Sequence, residues 1–382
     1  MRIGLFSDAY LPEISGVTTA VHWLKEELER LGHEAYIYAP AYKGFRDKEE
    51  HLFRFRARRF IFHKASRVAL PYSRKAARSF KRLDIVHSHT PFSLGLVAVG
   101  AATLSRIPHV HTYHTHLLES RHYLPLSSLL PERETEKIIA AFCNRCAVVT
   151  APSLPFKEKL VEYGVHRPIH ILPSGVNLSL FRKEQAWEPR QKLAIPAGAT
   201  LFLYAGRLAM EKNLPFLVRA FARLHEEDRE AVLVIAGDGP KRKELEDQVE
   251  KSGLSKAVRF AGFLAHPQLI DLYRAADLFL FSSKAETQGL VLLEAMAGGT
   301  PVVAIGELGV LDIVCDGING LFAPEEEKRF ARIALDLMND SARYAQLKEG
   351  ALKTAKELSA HSSTLRLLEI FNQCLAVARK GD

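Results

Sequence analysis

Cysteine is scarce in this chain of 382 residues, and long apolar runs are missing altogether. None of its hydrophobic stretches approaches the roughly 20 residues that a membrane-spanning helix requires. The opening "MRIGLFSDAY" holds too short an apolar run for a secretory signal and reads as a buried strand. The four cysteines offer a single CxxC, Cys143 and Cys146, with no second pair to complete a zinc site. Inside "IIAAFCNRCAVV" both read as small apolar helix residues, and a reducing, cytoplasmic location is the default expectation. GxGxxG and a Walker lysine are absent, which weighs against a dinucleotide or ATPase site. So is D-x-D. With 47% hydrophobic and 25% charged residues and no low-complexity tract, the composition is that of a globular protein.

Acidic residues are missing from one segment in particular. From His51 to Leu83, "HLFRFRARRFIFHKASRVALPYSRKAARSFKRL" carries 11 Lys or Arg and no Asp or Glu. Residues 1–172 hold 25 basic and 16 acidic side chains, a net +9, and the remainder holds 27 and 28, a net −1. The overall +8 therefore belongs to the first half. Such a run attracts polyanions: nucleic acid or an anionic membrane surface. The plainer reading is a solvated loop and helix whose apolar residues belong to a core.

What is present is an alternation of strands and helices, built twice. "RIGLFSDAY" reads as a strand, and "TTAVHWLKEELERLG" as a helix with Leu24, Leu28 and Leu31 on one face and a stop at Gly32. "EAYIYAP", "DIVHSH", "IPHVHTYH", "CAVVTAPS" and "IHILPSG" follow as further strands. Around residues 176–195 a polar, proline-containing stretch reads as a linker. The plan then restarts with "TLFLYAGRL", the helix "LPFLVRAFARLHEED" and the strands "AVLVIAG", "VRFAGFL", "ADLFLFSS" and "TPVVAI". Alternation of this kind predicts parallel sheets covered on both faces. The expected domains are 1–175 and 196–360, with the helix at 361–382 returning to the first. Two doubly wound domains facing a central cleft suit a ligand at the carboxyl ends of both sheets.

The chemistry-bearing residues fall at those strand ends. "GRLAMEKN" places Arg207 and Lys212 after the first strand of the second domain, where a planar fork and a point charge meet a helix N-terminus. "ISGVTT" brings Gly16 to a loop where backbone can approach a ligand, or to a plain turn. In "ETQGLVLLEAMAGGTPVV", Glu286 lies in a loop and Glu294 in an apolar helix, where a charge needs a partner. Spacing alone admits two readings. Glu294 accepts from a vicinal diol such as a ribose and Glu286 from a second sugar, with the Gly289 and Leu290 amides on phosphate. Alternatively Glu286 caps the helix and Glu294 pairs with an arginine. His109, His111, His114 and His116 are clustered, with His109 and His111 on one strand face, yet a third metal ligand is not evident.

The E-x7-E spacing, together with "GRLAMEKN", "PSGVN" and "EAMAGGTPVV", resembles the retaining glycosyltransferases of family 4, over nearly the whole chain from Arg2 to about Phe371. The resemblance implies the GT-B architecture, two Rossmann-like α/β domains, and a nucleotide-sugar donor held mainly by the second. Arg207 and Lys212 match the family's pyrophosphate pair, Glu294 the carboxylate on the ribose and Glu286 that on the donor sugar. Gly16 matches the loop glycine near the phosphates, and His114 a histidine near the transferred sugar. Thr287, Gln288, Gly289 and Leu290 fall in the same donor loop. The family needs no divalent metal, and the absence of D-x-D agrees: no cofactor is expected, since two cations can neutralise a leaving pyrophosphate.

"SSKAETQGLVLLEAM" with "TYHT" looks like the branch that glucosylates diacylglycerol and related lipids. UDP-glucose, a lipid acceptor and a peripheral position on the inner membrane face are the expectations. Nucleic acid is not expected as a partner. Arg54, Arg56, Arg58, Arg59, Lys64 and Arg67 would face the membrane, with Phe53, Phe55, Phe60 and Phe62 inserting at the interface. The rival readings are a soluble sugar acceptor, a nucleotide-sugar epimerase and a non-catalytic anion-binding protein.

Overall fold

The computed structural model describes residues 1–13, 15–45, 49–60, 63–114 and 131–380; for residues 59, 60, 63–68 and 380 it describes the backbone alone. The chain divides into two compact units, Met1–Ser174 with Ala360–Asp382, and Gly175–Ser359.

The first unit begins with β1 (Arg2–Phe6), α1 (Gly16–Arg30), β2 (Glu34–Pro40) and β3 (Leu52–Phe55). β4 (Ala57–Phe60), β5 (His63–Ala69) and α2 (Arg74–Phe80) follow. Then come β6 (Ile85–Ser88), α3 (Ser93–Ser105), β7 (His109–Thr112), α4 (Glu132–Cys143), β8 (Val148–Ala151), α5 (Leu154–Glu162) and β9 (Ile169–Ile171). Seven strands pair in parallel in the order β3-β2-β1-β6-β7-β8-β9, while β4 and β5 form a separate antiparallel pair. The chain winds outward from β1 in one direction and from β6 in the other, so the switch point lies between them.

The second unit holds the short α6 (Pro189–Lys192), then β10 (Leu201–Ala205), α7 (Leu214–Glu227), β11 (Val232–Ala236), α8 (Arg242–Lys251) and β12 (Val258–Gly262). It continues through α9 (His266–Ala275), β13 (Leu278–Phe281), α10 (Leu290–Ala297), β14 (Val302–Ala304), β15 (Gly320–Phe322), α11 (Glu327–Asn339) and α12 (Ser341–Glu357). Its parallel sheet has the order β12-β11-β10-β13-β14-β15, with the switch point between β10 and β13. Every residue of β10, β11 and β13 is buried, as expected of strands covered on both faces.

In the first unit one sheet face carries Ile3, Leu5 and Ile37 beneath Val21 and Leu28 of α1, joined by Leu367 and Phe371 of α13 (Ala360–Lys380). The other carries Phe6, Tyr38, Phe53 and Phe55 beneath Leu94 and Ala98 of α3. The polar run 176–195 is fastened within the second unit. Asp271 of α9 accepts from the amides of Ala186 and Trp187 at 3.2 and 3.0 Å, and Arg274 donates to the carbonyls of Phe181 and Lys183. Arg190 reaches Asp277 at 2.7 Å. Its polarity marks a backbone held by side chains rather than one left in solvent.

Candidate active site

At the switch point of the second unit, the loops leaving β10 and β13 are tied together. Ser282 Oγ donates to the Lys212 carbonyl at 2.9 Å and Ser283 Oγ to that of Glu211 at 3.2 Å. That stitching brings Lys212 Nζ to 2.6 Å from Glu286 Oε2, with each side chain 17% exposed. At this depth the pair is poorly screened, and removing either partner leaves a largely buried charge. Glu286 therefore does not cap α10. The cap position is Gly289, whose φ of 82° lies in the left-handed region that favours glycine. Gln288 and Gly289 are buried, Thr287 and Leu290 half-buried, and Arg207 is exposed on the loop after β10. The Glu286 carbonyl accepts from the amide of Gly309 at 3.1 Å, and a Cβ at Gly309 would lie 2.1 Å from the Thr287 carbonyl oxygen. The 286–289 loop is thus fixed by a backbone approach that only glycine permits.

Glu294 is 4% exposed, and neither of its partners is an arginine. Tyr273 OH donates to Oε2 at 2.9 Å, and His266 Nε2 lies 3.1 Å from Oε1. A carboxylate only accepts, so His266 is the donor. Burial, followed by the charge of Glu294, drives the Tyr273 phenol well above its ordinary range. His266 and Tyr273 escaped the sequence reading, although their spacing of two helical turns along α9 marks one face.

The switch point of the first unit is built on Asp8, which sequence reading also passed over. Its carboxylate accepts from Thr90 Oγ1 at 2.7 Å, from Ser93 Oγ and from the Leu94 amide at 3.2 Å, and its own amide donates to Thr90 at 3.0 Å. Burial raises this carboxyl despite those donors. The loop so held carries His89, whose Nδ1 is 2.9 Å from His114 Nε2. Around them lie three more buried imidazoles. His111 Nδ1 donates to the Ser88 carbonyl at 3.0 Å; Ser88 Oγ meets His109 Nε2 at 2.7 Å, and His87 Nε2 meets Thr112 Oγ1 at 2.7 Å. Burial pushes His109 and His114 down to about 4 and holds His87, His89 and His111 well below the usual range. All five are neutral near pH 7, so His114 offers a hydrogen bond and not a charge. Among the described residues no three His, Cys, Asp or Glu side chains gather as a metal set; His116 lies outside them. Cys143 and Cys146 are buried in the α4 region, and burial raises both thiols. Gly16 opens α1, exposed, with Ser15 capping the Thr18 amide at 3.2 Å.

The basic segment divides. Phe53 and Phe55 are 8% and 1% exposed within the core, which corrects their expected place at an interface. Arg54 is likewise turned inward: it donates to the carbonyls of Pro40 and Leu11 at 2.9 and 2.6 Å beside the rings of Tyr10, Tyr42 and Phe45. Arg56 and Arg58 are exposed. Arg59, Phe60, Lys64 and Arg67 sit on β4 and β5 by backbone; their side chains, and Phe62, lie outside the described residues. Among the described residues no helix is long and apolar enough to cross a membrane.

Two family profiles match the chain, Glycosyltransferase Family 4 over residues 14–180 and Glycosyl transferases group 1 over residues 185–354. The α-monoglucosyldiacylglycerol synthase of Streptococcus pneumoniae is 34% identical over 84% of this chain and 74% of its own. That of Acholeplasma laidlawii is 32% identical over 98% of both. In fold the chain is similar to HepE of Anabaena, solved in complex with UDP, with a TM-score of 0.78 over 98% of this chain and 100% of that one at 22% identity. A sugar-transferring enzyme, this chain belongs to the family 4, group 1 glycosyltransferases of the GT-B fold.

Proposed function

We propose that the enzyme transfers glucose from UDP-glucose to the hydroxyl of a membrane lipid such as diacylglycerol, with retention and without a metal cofactor. One observation carries the reading: two relatives at 32–34% identity over most of the chain are α-monoglucosyldiacylglycerol synthases. The word "α" bears on stereochemistry, since an α-linked donor giving an α-linked product is retention. The junction at Lys212 and Glu286 supplies matching chemistry. Lys212 carries three N–H donors, enough to hold Glu286 and a pyrophosphate oxygen together, with Arg207 as the second cation. Glu286 then accepts from hydroxyls of the hexose and Glu294 from the ribose. Thr287, Gln288, Gly289 and Leu290 line the donor loop, and the amides of Gly289 and Leu290, at a helix start, serve phosphate. Gly16 and neutral His114 of the first unit are assigned to the phosphates and the sugar. The acceptor oxygen bonds to the anomeric carbon on the face the pyrophosphate leaves, and its proton passes to a phosphate oxygen of the leaving group. Such a step needs stabilisation of charge on the departing phosphate, which the two cations provide.

For the acceptor, exposed Arg56 and Arg58 support docking on an anionic inner leaflet. The decisive test is transfer of labelled glucose from UDP-glucose to diacylglycerol in anionic liposomes, with Glu286→Gln as control. Label in the lipid, lost by at least a hundredfold in the variant, is the expected result. Free glucose without glycolipid would refute the lipid acceptor; undiminished turnover by Glu286→Gln would refute the site.

A further inference from the structure

Glu294 is a buried carboxylate whose plane is set before any ligand arrives. Each oxygen already accepts one bond from the protein, Oε2 from Tyr273 and Oε1 from His266. A carboxylate has about four acceptor positions, and the described residues use one on each oxygen. Two neighbouring oxygens, each able to accept a second bond, match the two donors of a vicinal diol.

Without those partners the terminal torsion of a glutamate is broad and roughly two-fold. Here α9 removes that freedom. His266 opens the helix and Tyr273 follows seven residues later, so both rings rise from one face towards α10. The two differ in depth: Tyr273 is fully buried, whereas the His266 side chain is 32% exposed. The packing between the helices leaves little slack, since a Cβ at Gly298 would lie 3.0 Å from that of Tyr273.

Building on the assignment of Glu294 to the ribose under "Proposed function", we propose that His266 and Tyr273 are positioning residues that hold both Glu294 oxygens for the 2′,3′-diol of the donor and thereby set the enzyme's preference for ribo- over 2′-deoxyribonucleotides. A site built to accept from a hydroxyl rejects the analogue that lacks it, because the acceptor is then left unpaired. That rejection requires the acceptor to stay in place. A carboxylate free to rotate can turn either oxygen to the remaining 3′-hydroxyl, and the discrimination fades.

The test is binding of UDP and of 2′-deoxy-UDP, by calorimetry, to the full chain and to Tyr273→Phe, His266→Ala and His266→Gln. Wild type is expected to favour UDP by about ten- to a hundredfold, the range for a hydrogen bond to a charged group. In Tyr273→Phe and His266→Ala, UDP binding falls about tenfold while 2′-deoxy-UDP binding changes less than about twofold, so the preference collapses. His266→Gln, which keeps an N–H donor, restores part of it. Equal losses for both nucleotides would overturn the proposal, since a merely structural role weakens both alike. His266→Ala, at the exposed end, keeps the question answerable where Tyr273→Phe loosens the fold. A wild type that binds UDP without preferring it would instead overturn the ribose assignment of Glu294, and one that binds no UDP the donor reading; the proposal falls with either.

Discussion

Acidification from pH 7.5 to 5 should destabilise the first unit far more than the second. The groups responsible are His87, His89, His109, His111 and His114, all held neutral by burial in the first unit. A base whose folded pKa lies below its unfolded one leaves stability unchanged about a pH unit above 6.5, where both states are neutral. Below that the unfolded chain takes up a proton that the folded chain refuses. Each histidine then removes up to about 1.4 kcal/mol per pH unit until its folded pKa is reached. For His109 and His114, held at about 4, the loss is complete near that pH. At pH 5 His109 and His114 together remove about 4 kcal/mol, a large part of the stability of a typical domain, and His87, His89 and His111 add to the loss in the same direction. Asp8 works against them. Its raised carboxyl binds a proton before its unfolded counterpart does, which acts in the opposite sense. Glu27, held down chiefly by its bond from Arg30, loses its contribution only as the pH falls through the carboxylate range, below the histidine window.

The chain has two tryptophans, and they report separately. Trp23 is buried on α1 of the first unit, and Trp187 belongs to the second. Urea unfolding by fluorescence at pH 7.5, 6.5, 5.5 and 5, with Trp187→Phe to isolate Trp23 and Trp23→Phe to isolate Trp187, gives each unit's stability. The Trp23 midpoint should begin to fall between pH 7.5 and 6.5 and then fall steeply, with an uptake of several protons on unfolding at pH 5.5. An uptake of less than one proton would refute the argument, as would an equal slope for Trp187.

Gly309→Ala should raise the donor KM at least about tenfold, because the added Cβ meets the Thr287 carbonyl and must displace the loop that carries Glu286; an unchanged KM would sink the assignment of that loop. Phe55→Ala should cost about 3–5 kcal/mol of stability, read by urea titration at neutral pH, because the ring lies in the core. Arg56→Ser with Arg58→Ser should instead leave stability within about 0.5 kcal/mol. The double variant should weaken binding to anionic liposomes by roughly 2 kcal/mol at low salt and less at high salt, and undiminished liposome binding would remove both residues from the docking surface.

Much of the architecture was legible because its signals are local. The first strand and its helix could be read from periodicity and from Gly32, and the renewal of the pattern at "TLFLYAGRL" announced a second sheet. The basic segment shows how a local signal can be overlooked. "LFRFRAR" alternates with period two, so it is a strand pattern as much as a charge run. Its aromatics Phe53 and Phe55 are the buried partners, stacked on one side with Tyr38 in the case of Phe53, while Arg54 is drawn to carbonyls and rings on the other. Net charge describes what such a segment attracts; alternation describes which of its residues are available to attract it.

The site was legible only as far as chemistry follows from residues close in sequence. E-x7-E with the intervening glycine places one carboxylate before α10 and one inside it, and the structure agrees. The partners of those carboxylates arrive from elsewhere: Lys212 lies 74 positions away from Glu286, and His266 and Tyr273 lie 28 and 21 before Glu294. No spacing rule connects them: strand order, not chain order, makes β13 the neighbour of β10, and α9 packs against α10 only once β13 has carried the chain through the sheet. The same holds for Asp8, joined to Thr90 and Ser93 across the pairing of β1 with β6. What the sequence reading separated into a phosphate lysine and a sugar carboxylate is a single ion pair, each half holding the other's charge. Replacing Lys212 therefore removes a cation and also leaves Glu286 unpaired at 17% exposure, so the loss belongs to the pair and is not divisible between its members.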